Sequence, residues 1–168
     1  MYLSNFIEDS INEGIGLRDV IFISGCKHNC ENCFSKQTWN FNFGKLFDDK
    51  LQNNIINKVL NNPLLDGITL CGGDPFYSSH EVINFLNKLK LKKHDLTLWS
   101  YTGFTFEEII NSNNIDMINL LKMNDYLIDG KFINELKDLT LKFRGSKNQR
   151  IINVQKSLQL NKIILFKE

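Results

Sequence analysis

The sequence predicts an α/β fold: a mostly parallel sheet with helical crossovers, in a single domain over residues 1–168. Short apolar runs alternate with amphipathic stretches, the order of repeated strand–helix units. Helix caps and breakers fall between these segments, not inside them. A length of 168 residues, 42% hydrophobic and 23% charged, suits one soluble domain with a sizeable core.

Residues 20–24 form a continuous run rich in branched side chains, as expected of a strand buried on both faces. Residues 46–61 carry Phe47, Leu51, Ile55, Val59 and Leu60 on one helical face, and Pro63 ends that helix. Residues 67–71 read as the next strand. Ser78 and Glu81 have the spacing of a capping box that opens a helix through Val82, Ile83, Leu86 and Leu89. Residues 96–100 are a third strand. Thr105 and Glu108 make a second capping box, for a helix containing Ile109, Ile110, Leu120 and Leu121 with a break near Asn113 and Asn114. Residues 126–129 are a fourth strand.

Ligands of parallel α/β folds bind at the carboxyl ends of strands, where loops and helix starts gather. Four loops should therefore share one rim: residues 26–33, 72–75, 100–103 and 129–131. The first reads Gly25-Cys26-Lys27-His28-Asn29-Cys30-Glu31-Asn32-Cys33, and three thiols this close suggest a metal site. A four-iron cluster has four corners, which electron carriers fill with thiolates. Three cysteines would leave one iron open for chemistry. Two other readings stand beside this one. Zinc wants four nitrogen or sulfur ligands, and the nearby candidate for the fourth is His28, cramped within the same loop. The thiols could also be inert. In the second loop, Gly72 and Gly73 let a ligand approach the backbone, Asp74 can accept a hydrogen bond from an ammonium group, and Pro75 fixes the exit. That loop suits a small zwitterion, although alone it is also a tight turn.

Composition narrows the function classes. A net charge of +1 argues against direct nucleic-acid binding, which needs an excess of Lys and Arg. No apolar run reaches membrane-spanning length. The opening residues have neither a basic head nor an apolar signal segment, so disulfides are not expected and the cytoplasm is the default compartment.

The motifs resemble those of the radical S-adenosylmethionine enzymes, marked by Cys-x-x-x-Cys-x-x-Cys after the first strand and a Gly-Gly-acidic-Pro loop after the second. The resemblance is closest to the branch that activates the anaerobic ribonucleoside-triphosphate reductase. It is carried by Ser24-Gly25-Cys26-Lys27-His28-Asn29-Cys30, Cys33-Phe34-Ser35-Lys36-Gln37-Thr38-Trp39, Gly72-Gly73-Asp74-Pro75, Tyr101-Thr102-Gly103, Asp129-Gly130-Lys131-Phe132 and Phe143-Arg144-Gly145-Ser146 with Asn148-Gln149. It implies a 4Fe-4S cluster on Cys26, Cys30 and Cys33, with S-adenosylmethionine chelating the open iron. One electron would release methionine and a 5′-deoxyadenosyl radical, which would take hydrogen from a glycine of the reductase catalytic subunit and leave a glycyl radical there. An electron donor such as flavodoxin is implied, and no side chain is assigned as general acid or base.

By the same resemblance, Gly72, Gly73 and Asp74 would hold the methionine end, with Asp74 as an acceptor or as a shaper of the loop. Asn32, Cys33 and Phe34 would face the adenine, and Ser100, Asp129 and Lys131 would reach the ribose or carboxylate. Each of the last three also has a plain reading: a turn former, a helix cap and a solvated charge. His28 is expected to hydrogen-bond to the loop backbone. With four or five strands the sheet should be an open, partial (β/α) barrel, whose open side would suit a protein substrate.

Two departures stand out. Asn32 replaces the glycine usual in this branch, though asparagine tolerates left-handed backbone. Cys71 stands where serine is more common, either a spurious ligand or a small buried hydrophobe. Within residues 151–168, Ile163 to Phe166 suit an edge strand or a surface for the reductase. Alternatives to the activating enzyme are a radical enzyme acting on another glycyl radical protein or a small molecule, and a zinc-stabilised binding module without catalysis.

Overall fold

The structure, a computed structural model, describes residues 1–93 and 95–167. Its strands are β1 (Tyr2–Ser10), β2 (Arg18–Ile23), β3 (Lys45–Leu46), β4 (Gly67–Gly72), β5 (Thr97–Tyr101), β6 (Tyr126–Asp129) and β7 (Arg150–Asn153). The helices are α1 (Asp49–Asn61), α2 (Ser79–Lys90), α3 (Phe106–Ile110), α4 (Ile115–Met123) and α5 (Val154–Leu160). The strands form a mixed seven-stranded sheet in the order β3-β1-β2-β4-β5-β6-β7. The central strands β2, β4, β5 and β6 run parallel, and β1, β3 and β7 join antiparallel at the edges. Helical crossovers link the central strands, as parallel neighbours require.

Strand alternation sorts the core. Ile21, Ile23, Ile68, Leu70, Leu98, Leu127 and Ile152 share one cluster with buried residues from all five helices. Their sheet neighbours in sequence point the other way. There Trp99, Ile128 and Ile151 form a second cluster with Tyr101, Tyr126, Phe143 and Phe166. One sheet face thus carries the helices, and the other is covered by loops and aromatic rings. No helix among the described residues is long and apolar enough to cross a membrane.

Local chemistry sets several boundaries. Asp48 caps α1 by accepting from the Leu51 amide at 2.9 Å, and β3 occupies residues expected to begin that helix. The Thr105–Glu108 capping box forms, and the break near Asn113 and Asn114 is present, with Asn114 capping α4. The Ser78–Glu81 box does not form. Residues Pro75–Ser78 make a 3-10 turn directly before α2, and Ser78, at φ −117° and ψ 32°, lacks the extended backbone of a capping residue and makes no side-chain cap bond. Strands β1 and β7 and helix α5 extend the pattern beyond the expected segments. Leu165 bridges to Ile152 and Phe166 packs on Trp99, so the apolar carboxyl-terminal patch completes the sheet edge.

At the amino ends of the parallel strands, Arg18 is fully buried, with no carboxylate in contact among the described residues. Its guanidinium donates to Thr69 Oγ1 at 2.7 Å, the Ile15 carbonyl at 3.1 Å, Thr97 Oγ1 at 2.9 Å, and the Ile68 and Thr97 carbonyls at 2.6 and 2.9 Å. The group also lies over the Trp99 ring, 5.4 Å from its centroid. Burial lowers its pKa to about 10, opposed by the charges of Asp125 and Asp66. Replacing Arg18 with Met strips β4 and β5 of these donors and should cost roughly 2–4 kcal/mol of unfolding free energy. Denaturant unfolding measures this, and a loss under about 1 kcal/mol would show that the network is dispensable.

Candidate functional site

The carboxyl ends of β2, β4, β5 and β6 open onto one cavity of about 700 Å³ that continues along the helix-free face. This volume is in the range of small-molecule and cofactor sites. Cys26, Cys30 and Cys33 line it together with Asn32, Phe34, Gly72 and Gly73. The loops expected to share a rim therefore do so.

The cysteine loop is held by backbone bonds on both sides. The Gly25 amide donates to the Thr38 carbonyl at 2.7 Å, and the Asp74 amide donates back to the Gly25 carbonyl at 2.9 Å. Gly73 sits so close that a Cβ there would lie 2.7 Å from the Gly25 carbonyl oxygen and 2.8 Å from that of Thr38. Asn32 adopts φ +54°, the left-handed conformation its side chain tolerates.

Asp74 is buried and does not line the cavity. Its Oδ1 accepts from the Phe76 amide at 2.9 Å. Its Oδ2 accepts from His28 Nε2 at 2.7 Å, Thr102 Oγ1 at 2.8 Å and the Gly103 amide at 3.0 Å. A carboxylate cannot donate, so His28 must carry its proton on Nε2. The carboxylate thus ties three loops together instead of facing a ligand. His28 packs edge-on to Phe104, with ring centroids 4.6 Å apart. Its expected bond to the loop backbone is replaced by this bond to Asp74.

Ser100, Asp129 and Lys131 do not line the cavity. Ser100 is buried and follows Leu98 onto the helix-bearing face by strand alternation. Asp129 is buried between Arg150, whose Nε donates at 3.0 Å, and the first amide of α3, from Phe106 at 2.8 Å. Lys131 is exposed outside the cavity, and its charge favours the Cys30 thiolate. Cys71 lines the cavity floor, nearly inaccessible, and burial pushes its thiol up. Sequence reasoning missed Asn12 and Glu13, which reach the cavity from the β1–β2 connection, and Tyr101 and Arg144, which sat in quoted segments without a role.

Among the described residues no three of His, Cys, Asp and Glu are placed to hold a metal ion, while Cys26, Cys30 and Cys33 line one cavity. Burial pushes the Cys26 thiol up to about 11, and the His28 backbone amide, bonded to the sulfur, pulls it back. Burial likewise raises Cys30, against the Phe132 backbone amide. These amides favour thiolate, the form that binds iron.

Two outcomes are expected. Gly73→Ala should cost about 1–3 kcal/mol by forcing the loops apart and lower the iron bound on reconstitution; unchanged iron content would show the close approach is unnecessary. In metal-free protein the Cys26 thiolate fraction should grow roughly tenfold per pH unit until about pH 11. Alkylation followed by peptide mass mapping should track that rise while Cys71 stays unlabelled, and equal labelling of both at pH 8 would contradict their burial.

Comparison with known proteins agrees with the geometry. Residues 12–152 match the family described as 4Fe-4S single cluster domain. The chain is 37% identical to the anaerobic ribonucleoside-triphosphate reductase-activating protein of Haemophilus influenzae, covering 89% of this chain and 96% of that protein. It is 33% identical to the Escherichia coli K12 protein of the same name, covering 84% and 90%, and 36% identical to that of Enterobacteria phage T4, covering 85% and 87%. With this likeness running through the cysteine loop and nearly every strand, the chain belongs to the family of anaerobic ribonucleoside-triphosphate reductase-activating proteins, which carry a 4Fe-4S single cluster domain.

Proposed function

We propose that this chain is an iron–sulfur activating oxidoreductase that generates a glycyl radical on an anaerobic ribonucleoside-triphosphate reductase. The observation that carries the reading is the placement of three loop thiols and two glycines on one cavity, in a chain whose relatives are named as activators of that reductase. Cys26, Cys30 and Cys33 would hold the 4Fe-4S cluster and leave one iron for S-adenosylmethionine. When bound, the pair supplies one-electron cleavage of the sulfur–C5′ bond, giving methionine and a 5′-deoxyadenosyl radical that takes a hydrogen atom from a glycine Cα of the partner.

This chain's residues position and shield. Gly72 and Gly73 would accept the methionine end without a Cβ in the way, and Asn32, Cys33 and Phe34 would border the adenine. Asp74 holds their loops in register through His28, Thr102 and Gly103. Backbone amides of His28 and Phe132 stabilise charge on the sulfurs. Asp129 anchors Arg150 and α3, and Lys131 would act through its field. No side chain serves as general acid or base.

The sheet is read as an open, partial (β/α) barrel in one domain, supported by helices on a single face and a cavity along the other. Such an opening suits a protein substrate. An electron carrier such as flavodoxin would reduce the cluster, and the reducing cytoplasm suits these free thiols.

The test is anaerobic. Protein reconstituted with iron and sulfide, then reduced, should convert S-adenosylmethionine to 5′-deoxyadenosine, and Cys30→Ala should abolish it. With the cognate reductase present, a glycyl radical signal should appear in its electron paramagnetic resonance spectrum. A fully loaded cluster that yields no 5′-deoxyadenosine, with or without the reductase, would overturn the reading.

A further inference from the structure

Four charged side chains line the cavity without a role in the proposed function: Lys137 and Asp138 at one end, the latter held by Lys147 and Thr140, and Arg144 and Glu13. Arg144 lines the cavity from the loop before β7, where Phe143 anchors it edge-on to Trp99 with centroids 5.7 Å apart. Its Nε is buried with no hydrogen-bond partner, and its one bond among the described residues is a long contact from Nη1 to the Gln149 carbonyl, 3.4 Å. Glu13 lines the same cavity from the β1–β2 connection. One of its carboxylate oxygens accepts from the Ser10 hydroxyl, and the other has no partner among the described residues. Thr69 Oγ1 donates to the Glu13 carbonyl at 2.8 Å, which sets the residue beside β4, and its charge acts on Cys71 and Tyr101.

Arg144 is half-buried, and its buried Nε–H, left without an acceptor, is costly unless a ligand completes it. The ligand's chemistry follows from the pair. An anion would suit Arg144 but be repelled by Glu13, and a cation would meet the reverse. A neutral group presenting both a carbonyl and an N–H fits both, above the uncharged floor of Phe22, Cys71 and Tyr101. A peptide backbone is such a group, and beside a glycine it carries no side chain to obstruct the approach. The mouth is open enough for a protein segment to enter: Phe34 and Leu139, which both line the cavity, are 100% and 87% exposed.

We infer that Arg144 and Glu13 grip the backbone flanking the target glycine of the reductase, Arg144 donating to a carbonyl and Glu13 accepting from an amide. This rests on the proposed function and names the residues that would present its protein substrate. Their grip would hold the glycine Cα toward the cysteine loop, so that its hydrogen is transferred to the 5′-deoxyadenosyl carbon and the unpaired electron stays on the glycine.

The experiment uses reconstituted holoprotein with the full-length cognate reductase and reads the ratio of glycyl radical formed to 5′-deoxyadenosine released. In Arg144→Ala that ratio should fall about tenfold or more, with a smaller fall in Arg144→Lys, which keeps charge but loses the planar fork. Glu13→Gln, which preserves volume, should also lower it, and decides the matter if Arg144→Ala loads its cluster poorly. An unchanged ratio in Glu13→Gln and in either loaded Arg144 variant, or both products falling together, would overturn the inference, the latter by placing Arg144 at the S-adenosylmethionine site. Wild-type protein that makes no 5′-deoxyadenosine would instead sink the functional reading, and this inference with it.

Discussion

The buried carboxylate of Asp74 is the interaction on which the site depends. One side chain takes hydrogen bonds from its own loop, from His28 in the cysteine loop and from Thr102 and Gly103 after β5. Loops at strand ends have no sheet register to hold them, and a buried acid shared among three of them supplies a common reference. Burial strengthens each of these bonds and makes a missing partner costly, so the loops are placed as a set. The glycines serve the same end. Gly103 leaves room for the His28 ring, which a Cβ would meet at 2.4 Å, and Gly73 leaves room for the Gly25 and Thr38 carbonyls.

The two ends of the parallel strands divide the labour. At the amino ends, Arg18 ties β2 to β4 and β5 with a charge that meets hydroxyls and carbonyls and is spread over the Trp99 ring. At the carboxyl ends the backbone turns out into loops, and the polar groups that remain aim at a cavity. Because all five helices pack on one face, the other is free to form a trough leading from the cysteine loop to Glu13 and Arg144. A closed barrel would wall off that trough, whereas this sheet ends in the short strands β3 and β7.

Much of the fold was legible because its signals are local. Strand β6 occupies the expected residues, bounded by Asn124-Asp125 and Gly130, and the Thr105 box appears as spaced. The Ser78 box had equal spacing and failed, because a cap needs an extended entry and Ser78, closing a 3-10 turn, sits at φ −117° and ψ 32°. Strand β1 escaped notice because register shifts after Leu3 and Ile7 interrupt its alternation, and β7 because its four residues run directly into α5. The connection bearing Asn12 and Glu13 was unreadable for the same reason: without β1 there was no hairpin to place it.

By itself the sequence determined the chemistry available: three thiols at a loop spacing, paired glycines, a left-handed Asn32, an ordered alternation of strands and helices. These are properties of neighbouring residues, governed by backbone sterics and side-chain spacing. Only the tertiary structure decided direction. Strand alternation turned Ser100 away from the cavity, burial made Asp74 and Asp129 anchors for other groups, and the crossovers brought Glu13 and Arg144 to one trough. Those outcomes depend on which faces the whole chain must bury and which distant donors then meet each acceptor, a balance no single segment carries.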